Sequence, residues 1–169
     1  MMICPLSDAA IIGPTGPLIG PPVDEAPPPA SASDDVDILA RTIYGEARGE
    51  LVAGKVAVAC VILNRVRRAR ARSGRYWWGA TVRDVCLRAW QFSCWNVNDP
   101  NRAKIETVGP DNRNFQTCLR VARRAIAGTL RDTTHGATHY HNRAVNPPWA
   151  RGRAPVSEIG GHLFYNNIE

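Results

Sequence analysis

The stretch Ile43-Tyr44-Gly45-Glu46-Ala47-Arg48-Gly49-Glu50 closes an amphipathic pattern and opens a glycine turn. Upstream, Val36, Leu39, Ala40, Ile43, Tyr44 and Ala47 recur at three- and four-residue steps. That period predicts a helix over about residues 35 to 47 with one buried face. At roughly 100° per residue, Glu46 falls at the edge of the face, beside Leu39 and Ile43. A carboxyl held half out of water has its charged form disfavoured, which suits a proton donor. Gly45 and Gly49 leave the backbone around it bare, open to a bulky ligand. The competing reading is a solvated surface acid, the common state of a helical glutamate. The glycines and the downstream sequence weigh against it here.

Downstream runs Gly54-Lys55-Val56-Ala57-Val58-Ala59-Cys60-Val61-Ile62-Leu63-Asn64-Arg65-Val66. It is apolar all round from Val56 to Leu63, which predicts a buried central helix over about residues 54 to 68 after a turn at Leu51 to Gly54. Three later blocks stand out: Trp90-Gln91-Phe92-Ser93-Cys94-Trp95, Gly136-Ala137-Thr138-His139-Tyr140-His141, and Ile159-Gly160-Gly161-His162-Leu163-Phe164-Tyr165. Together the blocks resemble the SleB-type cell-wall hydrolases, a family of spore-cortex-lytic enzymes and phage or bacterial lysins. The resemblance spans residues 36 to 166 or so. It implies a compact lysozyme- or lytic-transglycosylase-like domain, mainly helical with a small β element. It also implies that Glu46, the first glutamate of the Gly-Glu-Ala-Arg-Gly-Glu run, is the catalytic acid acting on peptidoglycan.

The 169 residues suffice for one domain with a real core. Residues 1 to 33 hold eight of the 13 prolines, three acids and no Lys or Arg. That composition reads as a tether or tail, or as a docking peptide for a protein partner or a virion, since Ala9-Ala10-Ile11-Ile12 and Leu18-Ile19 are apolar for a spacer. The catalytic domain is then 34–169. All 21 basic residues and 12 of the 15 acids lie in it, so its net charge is +9 against +6 for the whole chain. Such a body suits an anionic polymer: nucleic acid, an acidic membrane surface, or a wall rich in carboxylates and phosphates. Nineteen of the basic residues are Arg. The cluster Arg67, Arg68, Arg70 and Arg72 reads as a solvated helix end or, alternatively, a polymer grip. No apolar run reaches the roughly 18 residues of a membrane span. The start lacks the basic region of a Sec signal. Delivery to the wall by phage lysis machinery or on a virion would meet that.

The five cysteines show no metal-ribbon spacing. Cys60 and Cys118 fit buried positions, and Cys86 and Cys94 are read as free thiols before a bridged pair. Ser31 to Asp37 supplies helix-start residues, with Asp34 three before Asp37. Thr81-Val82-Arg83-Asp84 predicts a capping box opening a helix through about Ala89. Residues 90 to 113 read as irregular. Phe115, Cys118, Leu119, Ala122, Ala125 and Ile126 predict an amphipathic helix closed by Gly128. Thr133 to His141 and Gly161 to Tyr165 predict short strands around an Asn146-Pro147-Pro148-Trp149 loop. The class is α+β, mainly helical.

Cutting a MurNAc–GlcNAc β-1,4 link requires an acid at the leaving oxygen, and a hydrolase adds a second carboxylate at a set distance. A lytic transglycosylase, as the resemblance implies, reuses one Glu as base on the muramic C6 hydroxyl. Glu50 is the near second acid, and nothing in sequence positions Glu106 or Asp111. One good acid favours the transglycosylase over a hydrolysing muramidase. Sugar sites want aromatic faces and fixed polar groups. Gln91, Ser93 and Trp95 form one candidate wall, and Thr138, His139 and Tyr140 the other. Strand alternation places His139 and His141 on one face and Tyr140 on the opposite one. His135, His139 and His141 raise a zinc amidase or peptidase, but no His-Glu-x-x-His occurs and no metal or other cofactor is expected. Cys94 with His139 raises a cysteine peptidase. The non-enzymatic rival is a basic wall- or nucleic-acid-binding module.

Overall fold

The computed structural model describes residues 32–168, so Cys4, the apolar segments of the tail and the Ser31 cap position lie outside it. Five helices and a three-stranded sheet make up the described chain: α1 Ala32–Ala47, α2 Val52–Ala71, α3 Val82–Leu87, α4 Arg102–Thr107, α5 Arg113–Ile126, β1 His139–Asn142, β2 Ser157–Ile159 and β3 His162–Tyr165. Two 3₁₀ turns, Ser93–Trp95 and Pro148–Ala150, stand in the connections. α1 packs against all four other helices. Of the face the three- and four-residue period predicts, Leu39, Ala40, Ile43 and Ala47 are buried and Val36 and Tyr44 partly so, with Ile38 and Thr42 buried beside them. The helix begins earlier than expected, and Asp34 and Asp35 fill its first turn, where acids complement the N-terminal dipole. Asp37 pairs instead with Arg41 at 2.7 Å.

α2 explains its own all-round apolarity. Val58, Ala59 and Ile62 join the helical core, whereas Ala57 and Val61 pack on Ala137 and Phe164 beneath the sheet. The helix thus lies between two apolar layers and has little solvated face. It starts at Val52, so Gly54 is helical rather than part of the turn; its bare Cα accommodates the Glu50 side chain folding back, 2.7 Å from where a β-carbon would stand. At the far end the Arg cluster is partly engaged. Arg68 donates to the Asn166 and Ile168 carbonyls, and Arg72 lies over the Tyr76 ring.

The capping box is present: Asp84 N–H donates to Thr81 Oγ1 at 3.0 Å, and Thr81 N–H to Asp84 Oδ2 at 3.1 Å. α3 nevertheless stops at Leu87, because Arg88 turns extended and Trp90 takes φ +67°. Residues 90 to 113 are less irregular than their composition suggests. α4 escapes a sequence reading because only Ile105 of it is buried, which leaves no apolar period. Its C-terminal carbonyls at Ile105 and Glu106, with that of Val108, accept from the Arg41 guanidinium of α1. α5 starts at an Asn112 cap and ends before Gly128 at φ +71°, as expected.

The sheet runs β1-β3-β2, with both pairs antiparallel and Tyr140 opposite Phe164. Thr133 to Thr138 is not strand. Asp132 gathers Thr134 N–H, Thr134 O–H and Gly136 N–H on its carboxylate, and His135 and Gly136 both take positive φ. That local turn outcompetes a ladder. β2 has no apolar alternation by which its sequence would announce a strand. Cys60, Cys86, Cys94 and Cys118 are buried and free, so Cys86 and Cys94 are not bridged. Among the described residues no helix is long and apolar enough to cross a membrane.

Candidate active site

Three segments meet at the last turn of α1. Gly45 lets the first two touch: a β-carbon there would lie 2.6 Å from Cys94 Cβ and 2.7 Å from its sulfur. Only glycine therefore lets the Gln91–Trp95 loop seat on α1, with the Cys94 thiol against the neighbouring Glu46. Burial, and then that carboxylate, push the Cys94 thiol well above its usual range. The third segment is β1. Tyr140 O–H donates to Glu46 Oε2 at 2.9 Å, and its ring is held between Phe164 at 5.6 Å and His162 at 5.2 Å. Burial and the adjacent carboxylate raise the phenol well above its ordinary value, so it stays a proton-bearing donor. Glu46 itself is half-buried, as its place at the edge of the α1 face predicts.

Behind this pair stands Arg65, which sequence reasoning misses. Its guanidinium is buried over the rings of Trp78 and Phe92, at 5.5 and 5.2 Å. Nε donates to the Thr138 carbonyl at 2.7 Å and Nη1 to Gln91 Oε1 at 2.8 Å. Burial lowers its pKa to about 10, opposed by Tyr140, Cys86 and Glu46, so it remains a cation at neutral pH. A lone basic residue between Leu63 and Val66 at the end of a wholly apolar run was the available signal. Arg65 bolts the two candidate walls together, one bond to each.

The expected contacts divide accordingly. Gln91 has its oxygen engaged by Arg65, while an amide side chain also carries two N–H donors. Trp95 donates its indole N–H to Thr42 Oγ1 at 2.9 Å, one turn before Glu46 on the same face of α1. Its ring, not its N–H, is what it can offer. Ser93 is exposed at the head of the 3₁₀ turn. Tyr140 reaches Glu46, but His139 does not share its side of the sheet. His139 and His141 both face Trp149, each with ring centroids 5.5 Å away, which bears out the alternation. Burial, with Arg65 and Arg68, lowers His139 to about 4.

The rival chemistries find no matching geometry. Among the described residues no three His, Cys, Asp or Glu side chains converge on a metal-sized point. His135, at φ +53°, is exposed in the turn before β1. Cys94 and His139 do not form a nucleophile pair, since the thiol abuts Glu46 and the imidazole faces Trp149. Glu50 is occupied elsewhere: both its oxygens accept from Gly161 N–H at 3.3 Å, and His162 Nδ1 lies 3.8 Å away. Glu106 pairs with Arg102 at 2.8 Å.

The sequence profile of the cell wall hydrolase family matches residues 49–165. The chain belongs to that family. Among curated members it is 33% identical over 142 residues to the spore cortex-lytic enzyme of Halalkalibacterium halodurans, covering 82% of this chain, and 29% identical over 140 residues to that of Bacillus subtilis, covering 81%. It spans only 37% and 39% of the length of those relatives. Two solved catalytic domains of SleB have this fold. The Bacillus cereus domain superposes with a TM-score of 0.61 at 30% identity over 81% of this chain and 93% of that one. The germination-specific lytic transglycosylase SleB of Bacillus anthracis gives 0.61 and 30%, over 82% and 98%. A mainly helical cell wall hydrolase domain with a small sheet is thus the architecture that holds Glu46.

Proposed function

We propose that this cell wall hydrolase cleaves the MurNAc–GlcNAc β-1,4 bond of peptidoglycan as a lytic transglycosylase, with Glu46 as its acid and base. The observation that carries the reading is the Glu46–Tyr140 hydrogen bond at the α1 terminus, backed by buried Arg65. Protonated Glu46 gives its proton to the glycosidic oxygen as the C1–O bond breaks. The resulting carboxylate then takes the proton of the muramic C6 hydroxyl, whose oxygen closes on C1 to form the 1,6-anhydro ring. No water enters. Tyr140 fixes the carboxyl orientation through its O–H donor. Three of the other acids are engaged: Glu50 on Gly161, Glu106 on Arg102, and Asp99 on the Asn101 N–H at 2.8 Å. The names of the relatives and the solved lytic transglycosylase domain support the same chemistry. The substrate places the working protein at the bacterial wall.

Mass spectrometry of products from purified sacculi tests the proposal. Muropeptides lighter by one water, with intact stem peptides, are expected. Reducing ends would make it a hydrolysing muramidase, and freed stem peptides would exclude glycosidic cleavage. Glu46→Gln is expected to lower turnover by about 10²- to 10⁴-fold. A binding module would be indifferent to it.

A further inference from the structure

Trp90 is the most anomalous residue outside the acid site. It holds φ +67°, a region bulky side chains rarely adopt, and it is 84% exposed. Its chain neighbours are firmly held: Gln91 N–H donates to the Arg88 carbonyl, Gln91 Oε1 is fixed by Arg65, and Phe92 is buried. The backbone thus presents a bare indole to solvent on a rigid mount. It forms one wall of a cleft of about 530 Å³. The opposite wall is Trp95 to Pro100, with Val97 83% exposed. That wall is fixed too, because Arg102 donates to the Trp95 carbonyl at 2.8 Å and Trp95 to Thr42.

We infer that the Trp90–Trp95 cleft is a glycan subsite, seating one amino-sugar unit of the strand cut at Glu46 against the Trp90 face. The inference rests on the glycosidase reading for its register but not for its chemistry. Three observations select the occupant. Trp95, which lines the cleft, is anchored by its indole N–H to Thr42, one helical turn from Glu46 on α1. Its volume falls within the roughly 300–1,000 Å³ of small-ligand sites. Its lining mixes apolar faces with Asn96, Asn98 and Asp99, and it includes no Lys or Arg. In a body of net charge +9 that omission disfavours a charged group at this point of the strand and suits a neutral GlcNAc ring, apolar on one face and hydroxylated at the rim, with the muramic carboxylates lying outside the cleft.

The test uses peptide-free glycan chains from sacculi stripped of their stem peptides, titrated calorimetrically into the full-length Glu46→Gln protein. Adding Trp90→Ala is expected to weaken the Kd about tenfold, the worth of one aromatic face, and Trp90→Phe to restore most of it. Trp90→Gly removes the positive-φ strain, so its Tm is expected to rise by about 2–4 °C while binding still falls. An unchanged Kd in Trp90→Ala would overturn the inference. So would self-association that vanishes in Trp90→Ala, which would make the cleft an interface between copies. Cleavage of the same chains by the native protein is scored separately. Binding through Trp90 without cleavage would refute the Glu46 reading and leave the subsite standing.

Discussion

At the residue scale, the role proposed for Glu46 depends on what holds it. Tyr140→Phe keeps the ring packed on Phe164 and removes only the hydroxyl donor. Turnover on sacculi is expected to fall roughly 10- to 100-fold with little change in Tm, as when one oriented donor is lost from a partly desolvated site. Steady-state kinetics beside a thermal melt would check both halves. His139 carries a different consequence. Its folded value of about 4 lies below the ordinary 6.5, so between them the unfolded chain binds the extra proton. The stability this confers is present above pH 6.5 and is lost as pH falls toward 4. The partly exposed ring screens the charge, so the loss amounts to about 1–2 kcal/mol. Urea titrations at pH 7 and about pH 4.5 should show it, and His139→Gln should flatten the difference.

At the scale of elements, Glu50 joins the α1–α2 turn to the β2–β3 turn. A β-carbon on Gly160 would land on Glu50 Oε2, and Gly160 holds φ +60°, so the glycine is required twice over. Gly160→Ala is expected to destabilise by about 2–3 kcal/mol in urea denaturation, from backbone strain plus displacement of the carboxylate. Glu50→Gln should lower stability by about 1–2 kcal/mol and leave turnover within a fewfold. A loss of turnover matching that of Glu46→Gln would instead make Glu50 the second carboxylate of a hydrolase. α4 makes a related point. Arg41 of α1 caps it from 64 residues away, so the element depends on a contact that no local window contains.

For the whole molecule, α2 is the shared wall of the helical core and the sheet-side cluster. Among the described residues, the core side chains of both layers come from positions 38 to 168. Removing residues 1 to 31 is therefore expected to shift Tm by less than about 2 °C and to leave cleavage of soluble wall fragments intact, while changing delivery. Scanning calorimetry of the truncated chain checks the first part. A failure to fold would move the domain boundary into the tail.

The features legible along the chain were periodic or locally hydrogen-bonded. The α1 face, the apolar run of α2, the Thr81–Asp84 box, the α5 stripe and the β1 alternation each arise from neighbours a few residues apart, so the order of residues alone reveals them. The position of Glu46 at the edge of its face belongs with them. Tertiary structure decided the rest, because it depended on side chains brought together across the chain. Tyr140 meets Glu46 over 94 residues, and Arg65 joins Gln91 to the Thr138 carbonyl. Trp95 spends its indole N–H on Thr42, and Glu50 turns from a candidate partner into a tie to Gly161. Sequence spacing carries no record of which distant group will satisfy a buried donor or acceptor, although burial strongly favours that one of them does.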